Sequence, residues 1–211
     1  MPVISSRQEL CEFFPLKPIK VEKNVLTESA NGAKRNVMRL TSLVQKMDWL
    51  NENGRYYPSR VMVEAVNHLQ PAIKRRSIVG ELDHPEDAKI HSENVCFAVS
   101  KLWTENTNVF ATFDVLLGMP KADMLACLIE HGIEYSISSR GVGDIKEEFI
   151  NGSACDVVQP GYRFITFDAV QEPSVQGTAL RLMESKIKEK ASNRIKLEKA
   201  FIAEMKLTLK I

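Results

Sequence analysis

Residues Asn94–Leu117 read NVCFAVSKLWTENTNVFATFDVLL. Two apolar runs, Asn94–Trp103 and Asn108–Leu117, flank the polar triplet Glu105-Asn106-Thr107, and this pattern predicts a β-hairpin. Working outward, more extended segments appear. Val37–Met47 is a strand candidate, Ile133–Ser139 alternates apolar residues with Glu and Ser, and Tyr162–Val170 is a further strand. Two helices fit between them. Ser59 is placed to cap a helix through about Leu69, with Val61, Ala65, Val66 and Leu69 on one face. Pro120 suits the first turn of a second helix, which runs through Lys121–His131 to Gly132. The expectation is an α+β fold with a mostly antiparallel, β-barrel-like body and flanking helices. Residues 1–35 show no clear period, and Glu22–Lys34 is expected to be a mobile loop.

The chain has 211 residues, enough for one sizeable domain or a domain with an appendage. Lys and Arg number 28 against 27 Asp and Glu, a net charge of +1. That balance speaks against a dedicated nucleic-acid binder, which is usually strongly basic. No apolar run approaches the roughly 18 residues of a membrane span, and the N-terminus lacks the pattern of a secretory signal. Charge is unevenly spread: residues 181–211 carry nine Lys/Arg and four Asp/Glu, and residues 1–180 carry 19 against 23. The division expected is a body over residues 1–177 and a basic, amphipathic helical tail over 178–211. Four cysteines (Cys11, Cys96, Cys127 and Cys155) form no CxxC pair and read as free thiols of a reducing compartment.

Three clusters could carry chemistry. His84 sits in Val79-Gly80-Glu81-Leu82-Asp83-His84-Pro85-Glu86-Asp87, a short loop where an imidazole would be both held and reachable. His68 and His131 fall on helices, where structural roles suffice. His84, His91, Asp83 and Glu86 offer donors suited to a metal, but their spacing matches no strong zinc signature. The second cluster is Tyr135-Ser136-Ile137-Ser138-Ser139-Arg140-Gly141-Val142-Gly143. In an extended strand Ser136, Ser138 and Arg140 share one face, and Ile137 and Ser139 the other. The following Arg-Gly-Val-Gly is expected to turn and offer backbone N–H groups to an oxyanion; a phosphate loop is disfavoured because no Lys follows. In the third, Asp168 interrupts an apolar strand, either as an edge residue facing water or as the group that orients a histidine.

Four pieces occur together in one order: Asn51-Glu-Asn53-Gly-Arg55-Tyr-Tyr57-Pro58, Gly80-Glu81-Leu82-Asp83-His84-Pro85, Ser138-Ser139-Arg140-Gly141-Val-Gly143, and Asp168-Ala169-Val170 with Pro173-Ser174. In these the chain resembles the prohead core proteases of T-even-like and giant tailed bacteriophages. The resemblance spans roughly residues 45–175. It implies a serine endopeptidase with a herpesvirus-protease-like fold, acting inside the procapsid in the host cytoplasm on scaffold and shell proteins. It implies His84 as the base and Ser138 as the nucleophile, with Ser139 as the alternative. Asp168 is the candidate acid, with His91 or Asp83 as alternatives, and Arg140 and Gly141 would support the oxyanion. The family pattern usually has Asn where this chain has Asp83. The resemblance implies no cofactor, metal, nucleic acid or membrane, and allows self-association. Cleavage after Glu would place self-processing sites after Glu184, Glu204 and Glu28, within Leu182-Met183-Glu184, Ile202-Ala203-Glu204 and Leu26-Thr27-Glu28.

Overall fold

The structure, a computed structural model, describes residues 8–15, 18–28, 32–85, 89–150 and 152–171. The expected helical tail, with Glu184 and Glu204, lies outside the described residues, as do Glu86 and Pro173-Ser174. Among the described residues, eleven strands and two α-helices follow one another: β1 (Gln8–Pro15), β2 (Lys20–Glu28), β3 (Lys34–Lys46), β4 (Arg55–Tyr56), α1 (Ser59–Lys74), β5 (Val79–Glu81), β6 (Val95–Glu105), β7 (Asn108–Val115), α2 (Pro120–Glu130), β8 (Ser136–Gly143), β9 (Ile145–Ile150), β10 (Ser153–Val158) and β11 (Arg163–Val170). They form three sheets, ordered β2-β3-β7-β6-β5, β1-β8-β11 and β4-β10-β9. Every pairing is antiparallel except the short β4–β10 contact.

The mostly antiparallel expectation holds, but the strands do not close into a barrel by continuous pairing. Outside the strands proper, the first two sheets meet at a single parallel bridge, Leu82 with Ala169. Two side contacts reinforce this seam: Asp83 N donates to Ala169 O at 2.8 Å, and Thr166 Oγ1 donates to Val79 O. The close approach requires a glycine. A Cβ on Gly80 would lie 2.1 Å from Phe167 O and 2.2 Å from the Phe97 ring, so any side chain there would force β5 away from β11.

The core fills the space between the sheets. A chain of ring contacts crosses it: Phe97–Phe113 at 4.7 Å, Phe113–Phe167 at 6.0 Å, Phe167–Phe164 at 5.3 Å, Phe164–Tyr162 at 5.2 Å and Tyr162–Tyr57 at 5.6 Å. Helix α1 buries Val61, Met62, Ala65, Val66, Leu69 and Ile73 on one stripe, each of the five larger side chains worth about 1.5–3 kcal/mol of transfer free energy. It continues past the expected end at Leu69 and tolerates Pro71 inside it. Its N-cap is Pro58 rather than Ser59; Ser59 donates both its N–H and its hydroxyl to Asp48. The β6–β7 hairpin and α2 match their expected positions, with Asn106 left-handed at the hairpin turn and Gly132 left-handed after α2.

The N-terminal segment corrects the expectation most. Residues 1–35, taken as irregular, contain β1 and β2. Strand β1 shows no apolar period because one of its inward residues is Glu12, buried with its own set of donors. Strand β2 is a mostly exposed edge strand, broken by a register shift between Glu22 and Val25 where Asn24 is left-handed. Its last residues, Leu26-Thr27-Glu28, pair with Asn36, Arg35 and Lys34. The expected loop cleavage site after Glu28 is therefore at the end of a hydrogen-bonded strand.

Candidate active site

Strand β8 is the centre of the site. It runs unbroken from Ser136 to Gly143, between β1 on one side and β11 on the other. The turn expected at Arg140–Gly143 is absent. Its glycine serves a different end: a Cβ on Gly141 would lie 2.2 Å from the Tyr162 hydroxyl, so the residue makes room for a buried ring rather than for a bend. The N–H groups of Arg140 and Gly141 lie within a ladder paired on both sides and do not form the expected turn.

Register fixes which side chains meet. Ser138 faces Asp168 across the β8–β11 pair and Phe13 across the β1–β8 pair. Arg140 faces Cys11. Directly opposed residues share a face, so Ser138, Arg140, Asp168, Phe13 and Cys11 line one side of the sheet. Ser139 lies on the other side, with its Oγ 3.5 Å from Gln45 Oε1 of β3. The geometry therefore distinguishes the two serines: Ser138 shares the face of Asp168, and Ser139 does not.

His84 sits on the first of these faces. Its Nδ1 is 3.0 Å from Asp168 Oδ2, and its ring meets Phe13 edge-on at 6.4 Å. The loop that carries it is held from both ends. Asp83 adopts φ 70, a left-handed conformation that Asn and Asp tolerate best among residues with a Cβ. That backbone demand accounts for Asp standing where the resembled pattern has Asn. Glu81 fastens the far end, accepting His91 N–H at 2.8 Å and contacting His91 Nδ1 at 3.2 Å.

Asp168 is fully buried, which removes the water-facing alternative. Besides His84, its carboxylate accepts Glu81 N–H at 3.2 Å and Arg140 Nη2 at 3.1 Å, and Arg140 Nε lies 2.8 Å away. Arg140, equally buried, also donates to Glu81 Oε2 at 2.8 Å and to Lys89 O at 3.3 Å. Two carboxylates thus surround one guanidinium, leaving a net negative charge that a protonated His84 neutralises. The hydrogen bond to Asp168 and the Cys11 contact push His84 up to about 9, against the opposing effect of burial. The Arg140 guanidinium is committed to Asp168 and Glu81.

No hydrogen bond joins His84 to Ser138 among the described residues. His84 Nε2 lies 3.4 Å from Cys11 Sγ. Ser138 Oγ is buried and makes no hydrogen bond among the described residues. Of the alternative acids, Asp83 makes a backbone contact to Ala169 and His91 stays with Glu81. His91 joins His84 in no cluster of metal donors among the described residues.

Two neighbours of His84 escaped sequence reasoning. Glu81 was visible only as part of the Gly80–Pro85 run. Cys11 reads in the sequence only as a free thiol, and no local pattern links it to a histidine 73 residues away. The Asn51–Pro58 run has a structural use on the opposite face. Asn51 Nδ2, Asn53 Nδ2, Arg55 Nη1 and Tyr57 OH donate to the Glu12 carboxylate at 2.6, 2.7, 2.9 and 2.7 Å. This cage anchors β1 beside β8. Burial and the nearby acidic and phenolic groups, Tyr162 and Glu12, push the Tyr57 phenol well above its usual range.

Comparison with known proteins agrees with this architecture. Among solved structures, the bacteriophage T4 capsid assembly protease gp21 superposes with a TM-score of 0.69 at 22% identity, covering 79% of this chain and 99% of that one. At that identity the likeness speaks for the fold. No curated protein matches the chain. A family model described as prohead core protein serine protease matches residues 6–191, most of the chain and every residue of the candidate site. The chain belongs to the prohead core protein serine proteases, the family of procapsid maturation enzymes.

Proposed function

We propose that Ser138, His84 and Asp168 carry the peptide-bond hydrolysis of this chain as nucleophile, base and acid. The observation that supports the reading best is the Asp168–His84 pair. It holds Nδ1 and leaves Nε2 as the working nitrogen, on the sheet face that also carries Ser138. Ser138 Oγ attacks the scissile carbonyl while Nε2 takes its proton, and the charge on Asp168 stabilises the imidazolium that forms. His84 then returns the proton to the leaving amine, and water releases the acyl-enzyme. Arg140 fixes Asp168, and the Arg140-Gly141 pair is retained as the proposed support for the oxyanion.

The described arrangement is a resting one in this reading. Ser138 is fully buried and Nε2 faces Cys11, so activation must bring Nε2 to Ser138 Oγ and open the Ser138 face to substrate. Self-association is a fitting trigger, since it can move β1 or the loop around residue 89. The single bridge between β5 and β11 is what remains of the barrel closure expected for a herpesvirus-like fold. Substrates are the procapsid core and shell proteins, met within the procapsid in the host cytoplasm. Self-cleavage falls first after Glu184 and Glu204, because Glu28 ends a paired strand.

The test is incubation of Ser138→Ala and His84→Ala chains with procapsid core proteins, followed by mass spectrometry. Both variants should leave the core proteins uncut while Ser139→Ala still cleaves them. Full cleavage by the first two variants overturns the assignment. Cleavage lost only in Ser139→Ala moves the nucleophile by one residue.

A further inference from the structure

Three donors from two distant segments converge at the outer edge of the site. Glu9 and Cys11 alternate along one face of β1, and His84 comes from the loop after β5. One ligand atom of each lies within 4.8 Å of the others. The Cys11 Sγ to His84 Nε2 distance is 3.4 Å. Two ligands of one tetrahedral zinc, at about 2.3 Å for sulfur and about 2.0–2.1 Å for nitrogen, stand about 3.6 Å apart. The pair thus already has the bite of a zinc chelate.

The surroundings fit a built site. Cys11 is placed by its strand pairing opposite Arg140, and its carbonyl accepts from Arg55 Nη1 at 3.2 Å and Asn53 Nδ2 at 3.4 Å. His84 presents Nε2 because Asp168 holds Nδ1. A buried carboxylate on the far nitrogen of a ligating histidine is the usual outer shell of a protein-bound zinc. Glu9 is exposed and can swing its carboxylate inward, leaving the fourth position to water. Sulfur with imidazole favours zinc over magnesium or calcium.

We propose that Glu9, Cys11 and His84 bind a zinc-class divalent cation that locks β1 to the His84 loop and holds the protease in its resting state. Binding releases the thiol proton of Cys11 and any proton on Nε2, and the metal takes the nitrogen that would accept the proton of Ser138. The inhibitory half of this proposal rests on the role assigned to His84 above; the binding half does not.

The test uses the full chain titrated with cobalt(II), which reports a thiolate ligand through a charge-transfer absorption band, and with zinc as competitor. One equivalent of cobalt should give the band and zinc should bleach it. The band should vanish in Cys11→Ala and weaken in Glu9→Gln, whose exposed position spares folding. It should persist in Cys127→Ser, which removes the only other cysteine close to a histidine ring among the described residues, at 3.7 Å from His131 Nδ1. Asp168→Asn should lower cobalt affinity about 10–100-fold. A band that survives Cys11→Ala, or no band in folded wild-type chain, overturns the site. In parallel, zinc should stop core-protein cleavage by wild-type chain but not by Cys11→Ala. Metal bound without inhibition leaves the site standing and overturns His84 as the base.

Discussion

The β1–β8 pair carries a buried carboxylate cluster on each of its faces, and the two use similar groups for different ends. On one face Glu12 is enclosed by Asn51, Asn53, Arg55 and Tyr57. On the other, Asp168 is enclosed by Arg140, the Glu81 N–H and His84. Each has an arginine and in each the carboxylate accepts several hydrogen bonds, as buried charge demands. The difference lies in a single donor. Every partner of Glu12 keeps its proton across the physiological range, so that cluster can only hold strands together. Asp168 has one partner that exchanges a proton and is 29% exposed. One imidazole turns a structural ion pair into a site that can do chemistry.

Exchanging the charges breaks the comparison in opposite ways. Asp168→Asn should leave a folded chain whose cleavage rate is down by about 10⁴-fold, because the imidazolium loses its counter-charge and the tautomer its anchor. Cleavage of core protein, scored beside a melting curve, checks this. Glu12→Gln should instead cost about 3–5 kcal/mol of stability by stranding Arg55, with the molecules that remain folded still cleaving; urea denaturation with activity on the same samples separates the two. A Glu12→Gln chain of normal stability and no activity would erase the distinction.

Smaller changes sharpen it. Gly141→Ala drives a methyl into the Tyr162 ring next to the Glu12 cage and should cost about 1–3 kcal/mol, read as a lower thermal midpoint. The smallest effect is on pH. A base must be neutral, and Asp168 and Cys11 push His84 up to about 9, so kcat/KM should climb with pH toward that value. Cys11→Ala removes one of the two upward influences and should move the climb to lower pH. The linked stability has the opposite sign. The raised His84 favours folding fully below its unfolded value of about 6.5, and that contribution fades as pH rises through about 9. A profile unchanged by Cys11→Ala would mean that the thiol does not act on His84 in the working enzyme.

The same contrast explains what the sequence made legible. The β6–β7 hairpin and α2 were readable because their inward residues are apolar and their turns carry ordinary signals. His84, Ser138 and Asp168 stood out through four ordered runs of residues, and the structure brings His84 and Asp168 into contact. Strand β1 was not readable, because one of its two buried residues, Glu12 beside Leu10, is a carboxylate whose donors lie some forty positions further along. The Arg140–Gly143 run misled for a related reason. A glycine that admits a neighbouring ring looks, in one dimension, the same as a glycine that bends the chain. The Cys11–His84 contact depends on two segments meeting in space, and no periodicity encodes such a meeting.

The placement of β1 also sets an order in time. It leaves the ribosome well before its partner β8 and the Asp168 strand, which follow more than a hundred residues later. The contacts that make the site span 73 residues from Cys11 to His84 and 84 from His84 to Asp168. Closing such long loops is slow and comes after local structure has formed. A nascent chain that has not yet reached β11 therefore lacks the acid of the proposed triad, and a cell making this protease is protected from it until that strand has emerged and paired.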